Sequence, residues 1–115
     1  MINVQVSNWR LAPKVEEQPT VRMLHWRIFE VDGDLRVLGW IKEGPTTRMT
    51  SPLRALLPTT RQVITHSGRI YEMDQPPTED TERLVIILAR LAAERILVTN
   101  DRSYEVWSAM VQAGH

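Results

Sequence analysis

Val21-Arg22-Met23-Leu24-His25-Trp26-Arg27-Ile28-Phe29-Glu30-Val31 is followed by Asp32-Gly33-Asp34, and then by Leu35-Arg36-Val37-Leu38-Gly39-Trp40-Ile41. Two runs rich in β-branched and aromatic residues, joined across an Asp-Gly pair, spell a β-hairpin. Gly33 supplies the positive φ that a tight reversal requires. From Leu24 onward, strict alternation puts Leu24, Trp26, Ile28 and Glu30 on one face and His25, Arg27, Phe29 and Val31 on the other. Gly39, inside the second run, marks a bulge or a close approach of another backbone.

Moving outward, a second hairpin reads Arg61 to Thr65, turns through His66-Ser67-Gly68, and returns along Arg69 to Met73. Ser-Gly is turn chemistry, and branched or aromatic residues flank it. Between the hairpins, Pro45 to Thr60 carries three prolines and no clear period. It reads as a long connection with one helical turn at Leu53 to Leu57. Upstream, Ile2, Val4 and Val6 alternate with polar residues as a short strand would, and Pro13 and Pro19 bracket a polar loop.

Downstream, Pro76-Pro77 blocks the sheet. Thr78 then offers an N-cap, with Glu79, Asp80 and Glu82 where a helix dipole favours acids. Leu84, Ile87, Leu88 and Leu91 form a helical stripe, widened by Val85, Ala89 and Ala92, and the helix runs to about Arg95. A band that broad demands cover, most simply one face of the sheet. The tail reads in two ways. Asp101 or Ser103 caps a last helix carrying Tyr104, Val106, Trp107, Met110 and Val111. Alternatively, Ile96–Thr99 and Tyr104–Trp107 pair as strands. The helix is the favoured reading. The fold class is therefore α+β: a small antiparallel sheet of two hairpins against one main helix, in a single domain spanning residues 1–115.

Composition bounds the function. The 115 residues suit one domain, which buries roughly 65% of its unfolded surface. Hydrophobic residues make up 43% and charged residues 24%, so a packed core is expected rather than disorder. With no cysteine, there is no disulfide, thiolate nucleophile or cysteine-ligated metal. MINVQVSNWR lacks the basic start and apolar run of a signal peptide, and the longest apolar run, Leu84 to Ala89, falls far short of the ~20 residues a membrane span needs. The expectation is a cytoplasmic protein without a membrane partner. Zero net charge argues against a dedicated nucleic-acid binder. Basic residues are skewed to twelve Arg against two Lys, a bias that GC-rich codons would also produce.

No motif carries catalysis. His25, His66 and His115 lie too far apart for a helical metal pair, so no metal is expected. His66-Ser67 is a neighbouring pair rather than a triad, and the flanking glycines of a nucleophile elbow are absent. Neither phosphate-binding glycine pattern occurs, so no cofactor is expected. Four tryptophans, Trp9, Trp26, Trp40 and Trp107, are many for this length. Trp and Arg are enriched at binding hot spots, although Trp26 and Trp40 also suit a cross-strand core pair.

Charge is segregated along the chain. Gly44 to Tyr71 holds no acid but contains Arg48, Arg54, Arg61 and Arg69, whereas Glu72 to Glu82 holds no base and five acids. Either the two segments neutralise one another, or the long connection and second hairpin build a basic surface from Arg48, Thr50, Ser51, Arg54, Arg61, His66, Arg69 and Tyr71. Such a surface would suit phosphates or an acidic protein face.

Met49-Thr50-Ser51, followed by Val63-Ile64-Thr65-His66-Ser67-Gly68-Arg69-Ile70-Tyr71, resembles small proteins of phages and bacterial mobile elements. In those proteins a Thr-Ser pair precedes a Thr-x-Ser-Gly-x-x-Tyr hairpin. The resemblance covers about the middle half of the chain and implies a setting rather than a mechanism: inhibitors of host defence, anti-CRISPR proteins among them, that occupy a partner's surface. The sequence therefore points first to a non-enzymatic protein that docks on another macromolecule, most simply a protein. Second comes a nucleic-acid-binding module using the four arginines, and third a small hydrolase or transferase assembled from distant residues.

Overall fold

The computed structural model describes residues 14–42 and 47–114. The candidate strand at Ile2 to Val6, together with Trp9, Pro45 and His115, lies outside them. β1 (Thr20–Val31) and β2 (Asp34–Ile41) form the expected antiparallel hairpin, closed by the pairing of Val31 with Asp34. Asp32 at φ +52° and Gly33 at φ +85° make the turn the two-residue kind whose twist matches the strands.

Strict alternation fails at one point. The register slips between Leu24 and Arg27, and His25 sits at φ +50°. This bulge places two residues of β1 opposite one of β2 and flips the side-chain phase. Val21 and Met23 thereby share a core with Trp26 and Ile28, while Leu24 is only half-buried. Gly39 lies opposite the bulge, where a Cβ would stand 2.9 Å from the Leu24 carbonyl oxygen and 3.0 Å from the Trp26 Cα. Trp26 and Trp40 are thus not a cross-strand pair: Trp40 pairs with Leu24, and the Trp26 ring meets Trp107 instead.

The sheet is larger than two hairpins. β3 (Thr47–Met49) pairs with β2, β4 (Leu53–Leu57) with β5 (Gln62–Thr65), and β5 with β6 (Ile70–Glu72). β6 then lies parallel to the start of β1, and β7 (Val98–Asp101) lies antiparallel to its end. The path runs β3-β2-β1-β6-β5-β4. Its two ends are joined by only Thr50, Ser51 and Pro52, so the sheet must curl until they meet. Thr50 bonds main chain to main chain with Val37 of β2, and Pro52 accepts from the His66 N–H beside β5. The expected connection thus supplies two strands. The helical turn expected at Leu53 to Leu57 is strand β4, because the β5 ladder offers those residues more than an isolated turn can. A 3-10 turn at Pro58–Thr60, with proline at its start, follows instead.

Two helices complete the α+β fold, α1 (Thr81–Ala93) and α2 (Ser103–Ala113). Inside the curl, Val21, Met23, Trp26, Ile28, Val37, Val63, Tyr71 and Met73 pack against Val106 and Met110 of α2. On the other face, Phe29, Val31 and Leu38 pack against Ile87 and Leu91 of α1. The tail resolves to the helix, while part of the strand reading survives as β7, which pairs with β1 rather than with residues 104–107. No described helix is long and apolar enough to cross a membrane.

α1 departs from expectation in two ways. Its N-cap is Asp80, whose carboxylate accepts from the Arg83 N–H. Thr78 is buried and zipped to β1, its N–H donating to the Trp26 carbonyl and its own carbonyl accepting from Arg27. The apolar band also stays largely uncovered: only Ile87 and Leu91 are buried, whereas Val85 and Leu88 are 60% and 48% exposed.

The end of α1 carries an unfavourable acid. Glu94 caps the helix where its dipole is negative, and Oε2 is buried without a hydrogen-bond partner. Burial pushes its carboxyl above the usual range, with Arg90 only partly opposing. A carboxyl raised on folding costs stability once pH exceeds the unfolded value, and that cost vanishes as pH falls below it. Glu94→Gln is expected to raise stability by about 0.5 kcal/mol at neutral pH. The gain should shrink in acid, which urea midpoints at two pH values would show.

Candidate functional site

The structure scatters the eight residues of the expected basic surface. Arg48, Thr50, Arg69 and Tyr71 are buried, and Tyr71 belongs to the inner core. Arg48 donates to the Gln18 side chain at 3.2 Å and Arg69 Nε to the Gln18 carbonyl at 2.9 Å, so both hold the Lys14–Pro19 loop. Arg61 donates to the carbonyls of Pro58 and Met110 and lies 5.8 Å from the Trp107 ring. It thereby ties the 3-10 turn to the negative end of α2. Thr50 Oγ1 accepts from Val37 N–H and donates to the Ser51 carbonyl, extending β3 beyond its last residue. Ser51 Oγ accepts from Ser67 N–H at 3.3 Å, and Ser67 Oγ lies 3.0 Å from Thr65 Oγ1. The Thr-Ser pair and the Thr-x-Ser-Gly turn are therefore in contact and fix the hairpin tip. Only Arg54 and His66 present exposed side chains.

Charge segregation thus has a third outcome. Among the described residues no ion pair joins the two segments. Four of the five acids are answered by other groups: Asp74 by Arg22, Glu72 by Gln62, Glu79 by Tyr104, and Asp80 by Arg83 and the α1 N-terminus.

Arg27 forms a second hub. It donates to Asp101 at 2.7 Å and to the Thr78 carbonyl at 2.8 Å, and lies 5.3 Å from the Tyr104 ring. Burial pushes the Asp101 carboxyl up, but the Ser103 hydroxyl and N–H, with Arg27, outweigh this and hold it below its ordinary range. Ser103 is fully buried, its Oγ accepting from the Ile28 N–H and donating to Asp101, so this serine is a structural pin. No described histidine side chain bonds a serine, and no three potential metal ligands converge among the described residues.

A third group carries no spacing signal in the sequence. Trp40 is half-buried on β2, with His25 edge-on at 6.4 Å and the Arg83 guanidinium 4.9 Å from its ring centre. The bulge carries His25 to this position, and Asp80 steadies Arg83 at 3.4 Å. The indole is held between strand β2 and helix α1. The three residues are far apart in sequence, and only the slipped register brings them together.

Comparison with protein-family models, curated proteins and solved structures gives no match to this chain.

Proposed function

We propose that the chain is a non-enzymatic protein that docks on a partner protein through the His25–Trp40–Arg83 cluster. The observation supporting this reading is the tryptophan held at the surface by a ring on its edge and a guanidinium over its face. Rigid Trp and Arg anchors lose little entropy on binding and dominate interface energetics. Occlusion of a partner's surface, as in an anti-defence inhibitor, needs such an anchor and no turnover. A nucleic-acid module draws less support, since Arg48 and Arg69 are buried and Arg61 is engaged.

The test is capture of partners by tagged protein, with and without nuclease, using wild type, Trp40→Ala and His25→Gly. His25→Gly relieves the left-handed φ while adding glycine's flexibility, so stability should change by less than about 1 kcal/mol. A stoichiometric protein partner that survives nuclease and binds both variants at least thirtyfold more weakly, about 2 kcal/mol, supports the reading. Retention of nucleic acid alone, lost with added salt, would favour the arginine module. Turnover by the purified protein, abolished by one substitution, would overturn it.

A further inference from the structure

The three side chains in contact at the Trp40 cluster share one chemical property. Each carries N–H groups that no acceptor among the described residues takes up. Trp40 Nε1–H makes no hydrogen bond there, unlike Trp26 Nε1–H, which is bonded to the Gln75 carbonyl. The His25 ring meets the Trp40 edge and makes no hydrogen bond. Arg83 turns its Nε toward Asp80 at 3.4 Å and its face toward the Trp40 ring, which leaves both Nη groups without an acceptor. None of these nitrogens is buried, and the Arg83 side chain is 36% exposed, so all are open to a group from outside. Indole and guanidinium are donors only, so their complement is a group that only accepts. Asp80 is already engaged: Oδ1 accepts the Arg83 N–H and Oδ2 faces Nε.

We infer that the cluster recognises a carboxylate of the partner protein, taken by the Arg83 Nη fork with the Trp40 indole and the His25 ring as flanking donors. The inference rests on the docking reading above and names the chemistry that the partner presents. Arginine suits the position because its guanidinium stacks on an aromatic face while its edge stays free for a bidentate acceptor.

Local charge selects a carboxylate over a phosphate. Arg83 and the exposed Lys42, two residues beyond Trp40, are balanced by Asp80 and by Glu82, which is exposed and makes no bond among the described residues. Such a neutral surround can pair one carboxylate with one guanidinium. It lacks the excess of cations that a phosphate dianion or a nucleic-acid backbone draws on.

NMR titration of the isotope-labelled full chain tests this without a partner. Acetate is the carboxylate probe, chloride at equal ionic strength the control, and inorganic phosphate the competing anion. Acetate up to about 100 mM should shift the Trp40 Nε1–H and Arg83 Nε–H signals along a saturable curve, as a single charge-assisted fork would. Chloride should not. Trp40→Phe identifies the indole signal. Arg83→Lys keeps the charge and loses the planar fork, and should bind acetate at least about fivefold more weakly. Glu82→Gln removes a neighbouring repulsion and should bind it about twofold more tightly. Shifts linear in acetate, or equal with chloride, overturn the inference, and so does Arg83→Lys binding as wild type does. Phosphate binding more tightly than acetate overturns the choice of carboxylate. A Trp40-dependent partner captured by a protein that binds no acetate would leave docking standing and sink carboxylate recognition. Acetate binding with no partner captured would sink the docking reading, and this inference with it.

Discussion

Trp26→Ala is expected to cost about 4 kcal/mol of folding stability, in the upper part of the range for truncating buried aromatic residues. The indole is fully buried and heads the largest side chains of the inner core. Three losses coincide there. The ring leaves a cavity between β1 and α2, where its neighbour Trp107 is already engaged by Arg61. The Nε1–H bond to the Gln75 carbonyl, at 3.0 Å, disappears, and with it one tie holding the acidic loop along β1. Other ties remain, among them Thr78 N–H to the Trp26 carbonyl, Arg27 to the Thr78 carbonyl and Arg22 to Asp74, so the loop is weakened rather than freed. A domain of this kind has about 5–15 kcal/mol to lose, so the variant should keep only roughly 1–11 kcal/mol. Urea denaturation followed by circular dichroism gives the number. Trp26→Phe should fall between, losing part of the ring volume and the indole N–H. A Trp26→Ala cost below about 1 kcal/mol would mean that the curled sheet does not close on this residue.

Local chemistry was legible and long-range pairing was not. The Asp32-Gly33 and Ser67-Gly68 turns follow from residues that tolerate positive φ, and both hairpins stand where those turns put them. The tail helix was readable because Val106 and Met110 recur at helical spacing. By contrast, β3 and β4 have three and five residues between prolines and no alternation, so their strand character comes entirely from partners elsewhere in the chain. The parallel contact of β6 with β1 carries no local signal at all. The N-cap is Asp80 rather than Thr78 because aspartate is the stronger cap and Thr78 is held along β1 by its N–H bond to the Trp26 carbonyl.

The basic stretch shows how sequence charge misleads about surface. Arg48 lies within β3 and Arg69 immediately precedes β6, and both reach Gln18, where their long stems are covered. Arg61, in the left-handed region at φ +55°, finds carbonyls at a helix end. Arginine's planar fork suits main-chain carbonyls as well as phosphate, so arginine content alone cannot separate a binding surface from internal stapling. The cluster around Trp40 was invisible for the opposite reason. It depends on one residue of register slip in β1, and periodicity analysis assumes that none occurs.

That slip can be tested through the glycine facing it. Gly39→Ala is expected to destabilise the fold by about 3 kcal/mol, the upper end for overpacking. The added Cβ would meet the Leu24 carbonyl oxygen at 2.9 Å and Trp26 Cα and Cβ at 3.0 and 3.1 Å. Two of these are backbone atoms, which cannot move aside by changing a rotamer. Relief would require β2 to separate from β1 at the bulge or the bulge to migrate, and either would displace Trp26 from the core. Gly33 is the internal control. It lies in the same hairpin, but a Cβ there has nothing within 4 Å, and only its φ of +85° resists substitution. Gly33→Ala should therefore cost only about 1 kcal/mol. Asparagine, which adopts left-handed conformations more readily, should recover part of that at residue 33 and nothing at residue 39. Urea midpoints of the four variants make the comparison. Equal costs at the two positions would show that β1 and β2 do not approach as closely as the bulge demands, and the display of His25 beside Trp40 would lose its structural basis.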